Sequence, residues 1–386
     1  MFSRTIRFIR ELGPRRAAAW LLRAAVAIAA LRLIAPRPAY VVIGAPQTVD
    51  TAHPITCVHT RLTDEVEEWK IQRTLQMVRE MGAPTIVEFF PWPYIETAPG
   101  QYNWARFDRI VEHARAQGLT VIARLGMVPA WAQPDPDDVE RDITYNTLPP
   151  ESVDDFARFV EAFTAHYRGQ IDMIIIWNEP NLAFEWGYEQ PDPQRYIDLL
   201  RAAYPAAHRG NPDVTVLAGA LAPTLEPPGS PHGLNEIDYL TALYEAGFKD
   251  LYDALAVHTY GFKFPPEDPP APDVLNFRRA ELLREIMVAY GDENKPVVIT
   301  ESGWNDHPRW TKAVRPGQRI AYTLGALEYA EENWPWAEAL CLWAFRYPAP
   351  VQSYPDYFTL VGPDFTPKPI YDAVQAWARG MEVGEQ

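Results

Sequence analysis

Two apolar runs in this sequence each end on a glutamate, and this pairing is where its chemistry can be read. The first is Met173-Ile174-Ile175-Ile176, followed by Trp177-Asn178-Glu179-Pro180-Asn181; the second is Pro296 to Ile299, followed by Thr300-Glu301-Ser302-Gly303-Trp304. Two carboxyl groups brought to one cleft suit the cleavage of a glycosidic bond, because one can protonate the leaving oxygen while the other attacks the anomeric carbon. Their separation selects the outcome: about 5–5.5 Å for retention of configuration and about 6.5–9.5 Å for inversion. On this reading Glu179 is the general acid/base, kept protonated by burial and by its neighbour's charge, and Glu301 is the nucleophile, kept ionised by nearby donors. As ordinary strand-end residues the two glutamates would leave the cluster around Glu179 unexplained.

Such a pair needs strands to carry it. From residue 53 onward, short apolar runs alternate with amphipathic segments, the pattern of a parallel sheet with crossover helices. Strands are expected at 55–59, 84–90, 119–125, 171–177, 214–220, 253–259, 296–301 and 339–345. Helical periodicity is visible in Ile71, Leu75 and Val78, in Phe107, Ile110, Val111 and Ala114, and in Val153, Phe156, Val160 and Phe163. Stops follow at Gly82, Gly118, Gly169, Gly247 and Gly291, and a last helix is expected from about Pro369 to Ala378. Segments entering strands are short, whereas those leaving them are long and rich in proline and aromatics: Trp92–Trp104, Met127–Pro150, Ala222–Asn235, Gly261–Val274 and Tyr347–Pro367. Eight strands with elaborate loops at their C-terminal ends predict an α/β fold, a single-domain (β/α)8 TIM barrel over residues 40–386, with Glu179 on the fourth strand and Glu301 on the seventh. No GxGxxG turn follows the first strand to favour a doubly wound open sheet.

The 386 residues are 47% hydrophobic, enough for one large core, and the net charge of −16 argues against a nucleic-acid partner and for a neutral substrate. The 13 Trp and 19 Tyr suit stacking on sugar faces, although core packing claims most of them. Loop candidates for sugar subsites are Trp131, Trp186, Trp304, Trp310, Tyr347, Tyr354 and Tyr357. His53, His59 and His258 share no metal-ligand spacing, so neither a catalytic metal nor a cofactor is expected. Cys57 and Cys341 fall on the first and eighth strands, neighbours in a closed barrel. A bridge between them is geometrically possible, but two buried thiols are the expectation.

Over about residues 53–380 the sequence resembles the clan A type of retaining (β/α)8 glycoside hydrolases, which includes cellulase-like and β-xylosidase-like families. Besides the two glutamate motifs, the likeness rests on Trp92-Pro93-Tyr94-Ile95-Glu96 with Gly100-Gln101-Tyr102-Asn103-Trp104, on Pro129-Ala130-Trp131-Ala132 and on Lys368-Pro369-Ile370-Tyr371. The resemblance implies that Asn178 hydrogen-bonds a substrate hydroxyl, that His258 and Tyr260 lie near the nucleophile, and that Trp343 is a platform under the reacting sugar. Trp92 and Trp304 join the expected carbohydrate-binding residues. One departure stands out: where the clan often has an arginine at the end of strand two, this sequence has Glu88. Arg124 on strand three is the obvious substitute, serving the site or else pairing with Glu88, since an unpaired buried arginine is costly.

Residues 1–39 form a separate segment, with eight arginines across residues 1–37 around an Ala/Leu/Ile-rich stretch too short to span a bilayer as an uncharged run. It reads as a membrane-targeting or anchor segment, implying possible membrane association through residues 1–37 and an extracytoplasmic, secreted or anchored chain. The function expected is therefore hydrolysis of a β-linked oligo- or polysaccharide. The competing readings are a non-catalytic carbohydrate-binding barrel, or a transglycosylase, in exopolysaccharide synthesis or export.

Overall fold

The structure is a computed structural model that describes residues 14–34, 41–135, 137 and 143–381. It divides into two units, Met1–Val42 and Ile43–Gln386. The first contains helix α1 (Pro14–Ile34). Among the described residues no helix is long and apolar enough to cross a membrane, and residues 1–13 and 35–39 of the expected targeting segment lie outside them.

In the second unit eight parallel strands close into a barrel, each bonded to the next and the last to the first. They are β1 (Thr56–His59), β2 (Thr85–Pro91), β5 (Thr120–Gly126), β6 (Met173–Ile176), β7 (Thr215–Leu221), β8 (Ala254–Tyr260), β9 (Val297–Gly303) and β10 (Ala337–Leu342), while β3 (Glu96–Ala98) and β4 (Gln101–Tyr102) form a small hairpin in the loop after β2. Around the barrel lie α2 (Glu68–Met81), α4 (Ala105–Ala116), α5 (Val153–His166), α6 (Pro193–Gly210), α7 (Glu236–Glu245), α8 (Ala280–Ala289), α9 (Pro316–Asn333) and α10 (Pro369–Ala378), with the one-turn α3 (Trp92–Ile95) after β2. The helices form because their apolar positions recur at three- and four-residue spacing, and that stripe is what they bury: Ile71, Leu75 and Val78 in α2, Phe156, Val160 and Phe163 in α5.

Strand alternation makes two cores. Alternate residues such as Val87, Ile122, Ile175, Leu217, Ala256 and Val298 fill the barrel interior, and the others pack outward against the helices. The interior layer is the floor beneath the loops. Two strand ends differ from expectation. β6 stops at Ile176 because Trp177 takes a left-handed backbone, φ 73°, which breaks the ladder. β10 runs over 337–342 and releases Trp343 at the barrel mouth.

The cysteines require a correction. Instead of two thiols, the structure has a Cys57–Cys341 disulfide, with the Cα atoms 4.0 Å apart. Parallel pairing of β1 with β10 sets Cys57 directly opposite Cys341, and both side chains belong to the interior layer, so the sulfurs meet. Alkylation of the unfolded chain should therefore add no mass without reductant and two adducts after reduction. Replacing both cysteines by alanine should lower the unfolding free energy by about 2–4 kcal/mol in urea titrations. Two adducts before reduction would disprove the bridge.

Candidate active site

Which face of the barrel a side chain meets is decided by strand phase, and at this site two bulges set that phase. Along β9, Val298 points inward, so strict alternation would turn Glu301 outward. Yet Val257–His258 of β8 pairs with Ile299 and Glu301, and Leu340–Leu342 of β10 pairs with Ile299 and Ser302. Both registers give β9 one extra residue near Thr300, and this bulge brings Glu301 to the inside. A second bulge lies in β7, where Gly219 and Leu221 face Ala256 and Val257. Gly219 adopts φ 97°, a conformation that favours glycine. The adjacent Ala220 carbonyl accepts the Glu179 backbone N–H at 3.1 Å.

The Glu179 turn is also tied from below and beside. Tyr196 of α6 donates its hydroxyl to the Ile176 carbonyl and accepts from Gly219 N, both at 2.8 Å, so one phenol joins the ends of β6 and β7. Buried Asn181 donates to the carbonyls of Ala222 and Leu234 and accepts from Ala222 N. Trp177 donates its indole N–H to the Glu185 carbonyl at 2.8 Å. Glu179 itself has φ 43°, uncommon for a residue with a Cβ.

These elements bring Glu179 and Glu301 together. His258 Nδ1 lies 2.8 Å from Glu179 Oε1 and 3.6 Å from Glu301 Oε2. Tyr260 donates its hydroxyl to Glu301 Oε2 at 2.8 Å, and Arg124 donates to Glu301 Oε1 at 3.1 Å and to Asn178 Oδ1 at 2.8 Å. His59 approaches from β1, its Nε2 3.8 Å from Glu301 Oε1 and its Nδ1 bonded to the Thr60 carbonyl. The two imidazoles respond oppositely to their settings. Burial pulls both pKa values down, but the Glu301 and Glu179 charges overcome it at His258 and raise it, whereas Arg124 and Arg61 reinforce it at His59, which stays neutral. Burial, then the Glu301 charge, raises Tyr260 well above a normal phenol, so it remains a donor.

Arg124 bonds Glu301 and Asn178, and the alternative pairing with Glu88 does not form. Register sets Phe89 beside Arg124, which leaves Glu88 on the opposite face of the sheet. There Glu88 accepts from the Thr60 hydroxyl and from Leu62 N and Thr63 N, anchoring the loop after β1.

Asn178, Glu179, Arg124, Tyr260, Glu301 and Trp343 line one cavity of about 440 Å³, which Trp310 and Tyr354 also border. Two expected sugar-binding tryptophans do not reach it. Trp92 is fully buried, stacks on Phe159 and donates to Glu96, because α3 turns it into the outer core. Trp304 is 1% exposed and donates to the Phe264 carbonyl. Its ring occupies the space beside Gly261, where a Cβ would come within 1.8 Å of it. Trp186 is likewise buried.

Two charged lining residues escaped the sequence reading. Arg61 sits just beyond β1, bonded to Asp64 and 5.8 Å from the Trp343 ring centre. Glu185, in the loop after β6, borders the cavity and accepts from Asn146 at 3.2 Å. Burial, then the Glu179 and Glu301 charges, raise its pKa to about 7 against the pull of Arg124 and Asn178. Position just past a strand's C-terminal end was the available signal for Arg61; for Glu185 there was none.

Oxygens of Glu179 and Glu301 and a nitrogen of His258 all lie within 4.8 Å of one another, a grouping that could also hold a cation. The Arg124 guanidinium and the Tyr260 hydroxyl already engage Glu301, and a cation would face the guanidinium charge, so the arrangement suits a hydrogen-bonded carboxyl pair.

A closed barrel with paired glutamates at the ends of its fourth and seventh strands defines the class: the chain has the fold of the clan A (β/α)8 glycoside hydrolases. Residues 63–172 match the glycoside hydrolase family 42 model, described as beta-galactosidase. The structure is similar to a family 39 glycoside hydrolase from Bacteroides cellulosilyticus, at TM-score 0.67 and 21% identity, over 87% of this chain and 65% of that one. It is similar to a monomeric beta-xylosidase from Caulobacter crescentus, at TM-score 0.63 and 19% identity, over 86% and 69% of the two chains. A third similar structure is a family 5 enzyme from Bifidobacterium longum subsp. longum, in complex with Manβ1-4GlcNAc, at TM-score 0.61 and 14% identity over 86% and 79%. No curated protein sequence matches the chain.

Glu185 yields a prediction with a definite sign. Its ordinary value of 4.5 is raised to about 7, so the stability its protonated form contributes is complete below about 4.5 and lost as pH rises through about 7. Between pH 5 and 8 the unaltered chain should lose on the order of 2 kcal/mol more unfolding free energy than Glu185→Gln. Parallel urea-unfolding profiles for the two proteins would refute the assignment.

Proposed function

We propose that this chain is a retaining glycoside hydrolase that cleaves β-linked oligo- or polysaccharides by double displacement, with Glu301 as nucleophile and Glu179 as general acid/base. The observation that carries this reading is that an oxygen of Glu179 and an oxygen of Glu301 lie within 4.8 Å of each other. So close an approach favours the retaining spacing of about 5–5.5 Å over the about 6.5–9.5 Å of an inverting pair. The matching family model, described as beta-galactosidase, and the similar beta-xylosidase support a β-linked glycoside.

In the first displacement Glu179 gives its proton to the glycosidic oxygen as the C1–O bond breaks, and a Glu301 oxygen forms a bond to C1. In the second, ionised Glu179 takes a proton from water, the water oxygen attacks C1, and Glu301 leaves as a carboxylate. One water is consumed and Glu179 ends protonated, as it began. Arg124 and Tyr260, both donors to Glu301, position its oxygens for attack and stabilise the charge it regains on departure. His258, bonded to Glu179 and close to Glu301, adds a charge that follows the proton inventory of the pair. Asn178, oriented by Arg124, offers its amide to a hydroxyl beside the anomeric carbon, and Trp343 supplies an aromatic wall.

The same proposal locates the chain outside the cytoplasm, secreted or held at a membrane by residues 1–37. Its support is the Cys57–Cys341 disulfide, since such bonds persist in oxidising compartments, together with the arginine-rich apolar segment. Fractionation of cells expressing the full chain should find it outside the cytoplasm; recovery from the cytosol would count against this location.

Hydrolysis of aryl β-glycosides and of soluble β-glucans, xylans and mannans tests the chemistry. Glu301→Ala should lower turnover by about three or more orders of magnitude with the circular dichroism spectrum unchanged. Glu179→Ala should impair natural glycosides far more than activated aryl glycosides, whose leaving groups need little protonation. Near-normal rates for both variants on natural glycosides would refute the assignment.

A further inference from the structure

The loop between β9 and α9 has a charge balance opposite to that of the chain. Although the chain carries −16, residues 304–319 hold Arg309, Lys312, Arg315 and Arg319 against a single acid, Asp306. That acid is committed: buried Arg319 lies 3.5 Å from Asp306 and also donates to the carbonyls of Phe358 and Thr359. Arg309, Lys312 and Arg315 are exposed. Among the described residues no carboxylate ion-pairs with any of them. Exposed Lys263, from the loop after β8, adds a fourth such cation on the same rim. Asp356, another acid near this rim, accepts from Val351 N and Gln352 N.

These cations adjoin the candidate active site through aromatic rings. Lys312 Nζ lies 4.9 Å from the ring centre of Phe262, which borders the cavity containing Glu179 and Glu301. Phe262 in turn lies 6.3 Å from Trp310, and Trp310 stacks on Tyr354 at 5.4 Å. Trp310 is a shared wall: on its far side is a groove of about 700 Å³ lined by Lys263, Asp306, His307, Arg315, Gln318 and Tyr357, its one lining acid being the Asp306 beside Arg319. A chain of sugars leaving the carboxyl pair past Trp310 would therefore lie against rings and then beside fixed positive charges.

We propose that the groove beyond Trp310 is a distal subsite for an anionic glycan, one carrying carboxylate or sulfate groups, and that the enzyme cuts within such a chain. This rests on the glycosidase reading above and names its substrate class, and it revises the neutral substrate that net charge alone suggested. The revision has a physical basis. At physiological salt, charges are screened over about 8 Å, so the acidic surface elsewhere acts weakly on a ligand in contact with the rim, while the local cations act fully.

Binding measurements on the full chain separate this proposal from the catalytic one. By affinity electrophoresis or thermophoresis, hyaluronan as the carboxylate probe or dextran sulfate as the sulfate probe should bind about tenfold or more tightly than a neutral β-glucan of similar length, and should weaken as NaCl rises from about 50 to about 300 mM. Preference for hyaluronan over dextran sulfate would assign a uronate chain, and the reverse a sulfated one. The pair Lys312→Gln and Arg315→Gln should lose about tenfold in that binding with Tm unchanged, whereas Lys312→Arg should retain it. Equal binding of neutral and anionic glycans, or anionic binding that survives the Gln pair, would overturn the subsite whatever the catalytic result. Salt-sensitive anionic binding without hydrolysis of hyaluronan or of any panel glycoside would keep the subsite as an anionic-glycan site and defeat the glycosidase reading and the internal cutting.

Discussion

Two carboxyl groups held within 4.8 Å of each other in a cleft repel when both are ionised, and the specific contacts at the barrel mouth offset that repulsion. Arg124 and Tyr260 engage the two oxygens of Glu301, and His258 sits where it can bond Glu179 while feeling the charge of Glu301. The result is asymmetric. One carboxyl is surrounded by donors and the other has a single imidazole, and the proposed division of roles rests on that difference. Glu185 extends the same electrostatic group, its carboxyl pushed up by burial and by the charges of the pair.

That asymmetry depends on backbone irregularity. Extra residues near Thr300 in β9 and Ala220 in β7 interrupt otherwise regular ladders, one turning Glu301 inward and the other presenting a carbonyl to Glu179 N. Left-handed conformations at Trp177 and Glu179 add local strain at the end of β6. The surroundings hold that strain in place: Tyr196 links two strand ends, Asn181 links two loops, and Trp177 caps the Glu185 carbonyl. The regular barrel below supplies rigidity, and its irregular upper edge supplies the geometry.

Aromatic residues divide by the same logic. Trp92 and Trp304, each next to a strand end and each suggestive in sequence, are buried with their N–H groups satisfied by protein oxygens. Trp310 and Trp343 border the cavity and are partly exposed. A tryptophan in a loop thus says little about sugar binding until its ring is known to face the cleft. Formal charge behaves similarly, since a net value of −16 conceals a cationic loop beside the site.

The sequence by itself determined the barrel, its eight strands to within a few residues, and the two strand-end glutamates, because apolar periodicity and punctuating glycines are local signals that burial enforces. It also determined that Arg124 needed a partner. Tertiary structure alone decided which partner: register and strand parity set Arg124 and Glu88 on opposite faces, leaving one for Glu301 and the other for the loop after β1. It decided the disulfide too, through a pairing that joins residues 284 positions apart. The bulges that orient Glu301, the recruitment of Arg61 and Glu185, and the burial of Trp92 and Trp304 likewise arise where separate segments meet. Local sequence carries the period of a strand, but the phase of its final residues and the neighbours of its loops are set only when the barrel closes.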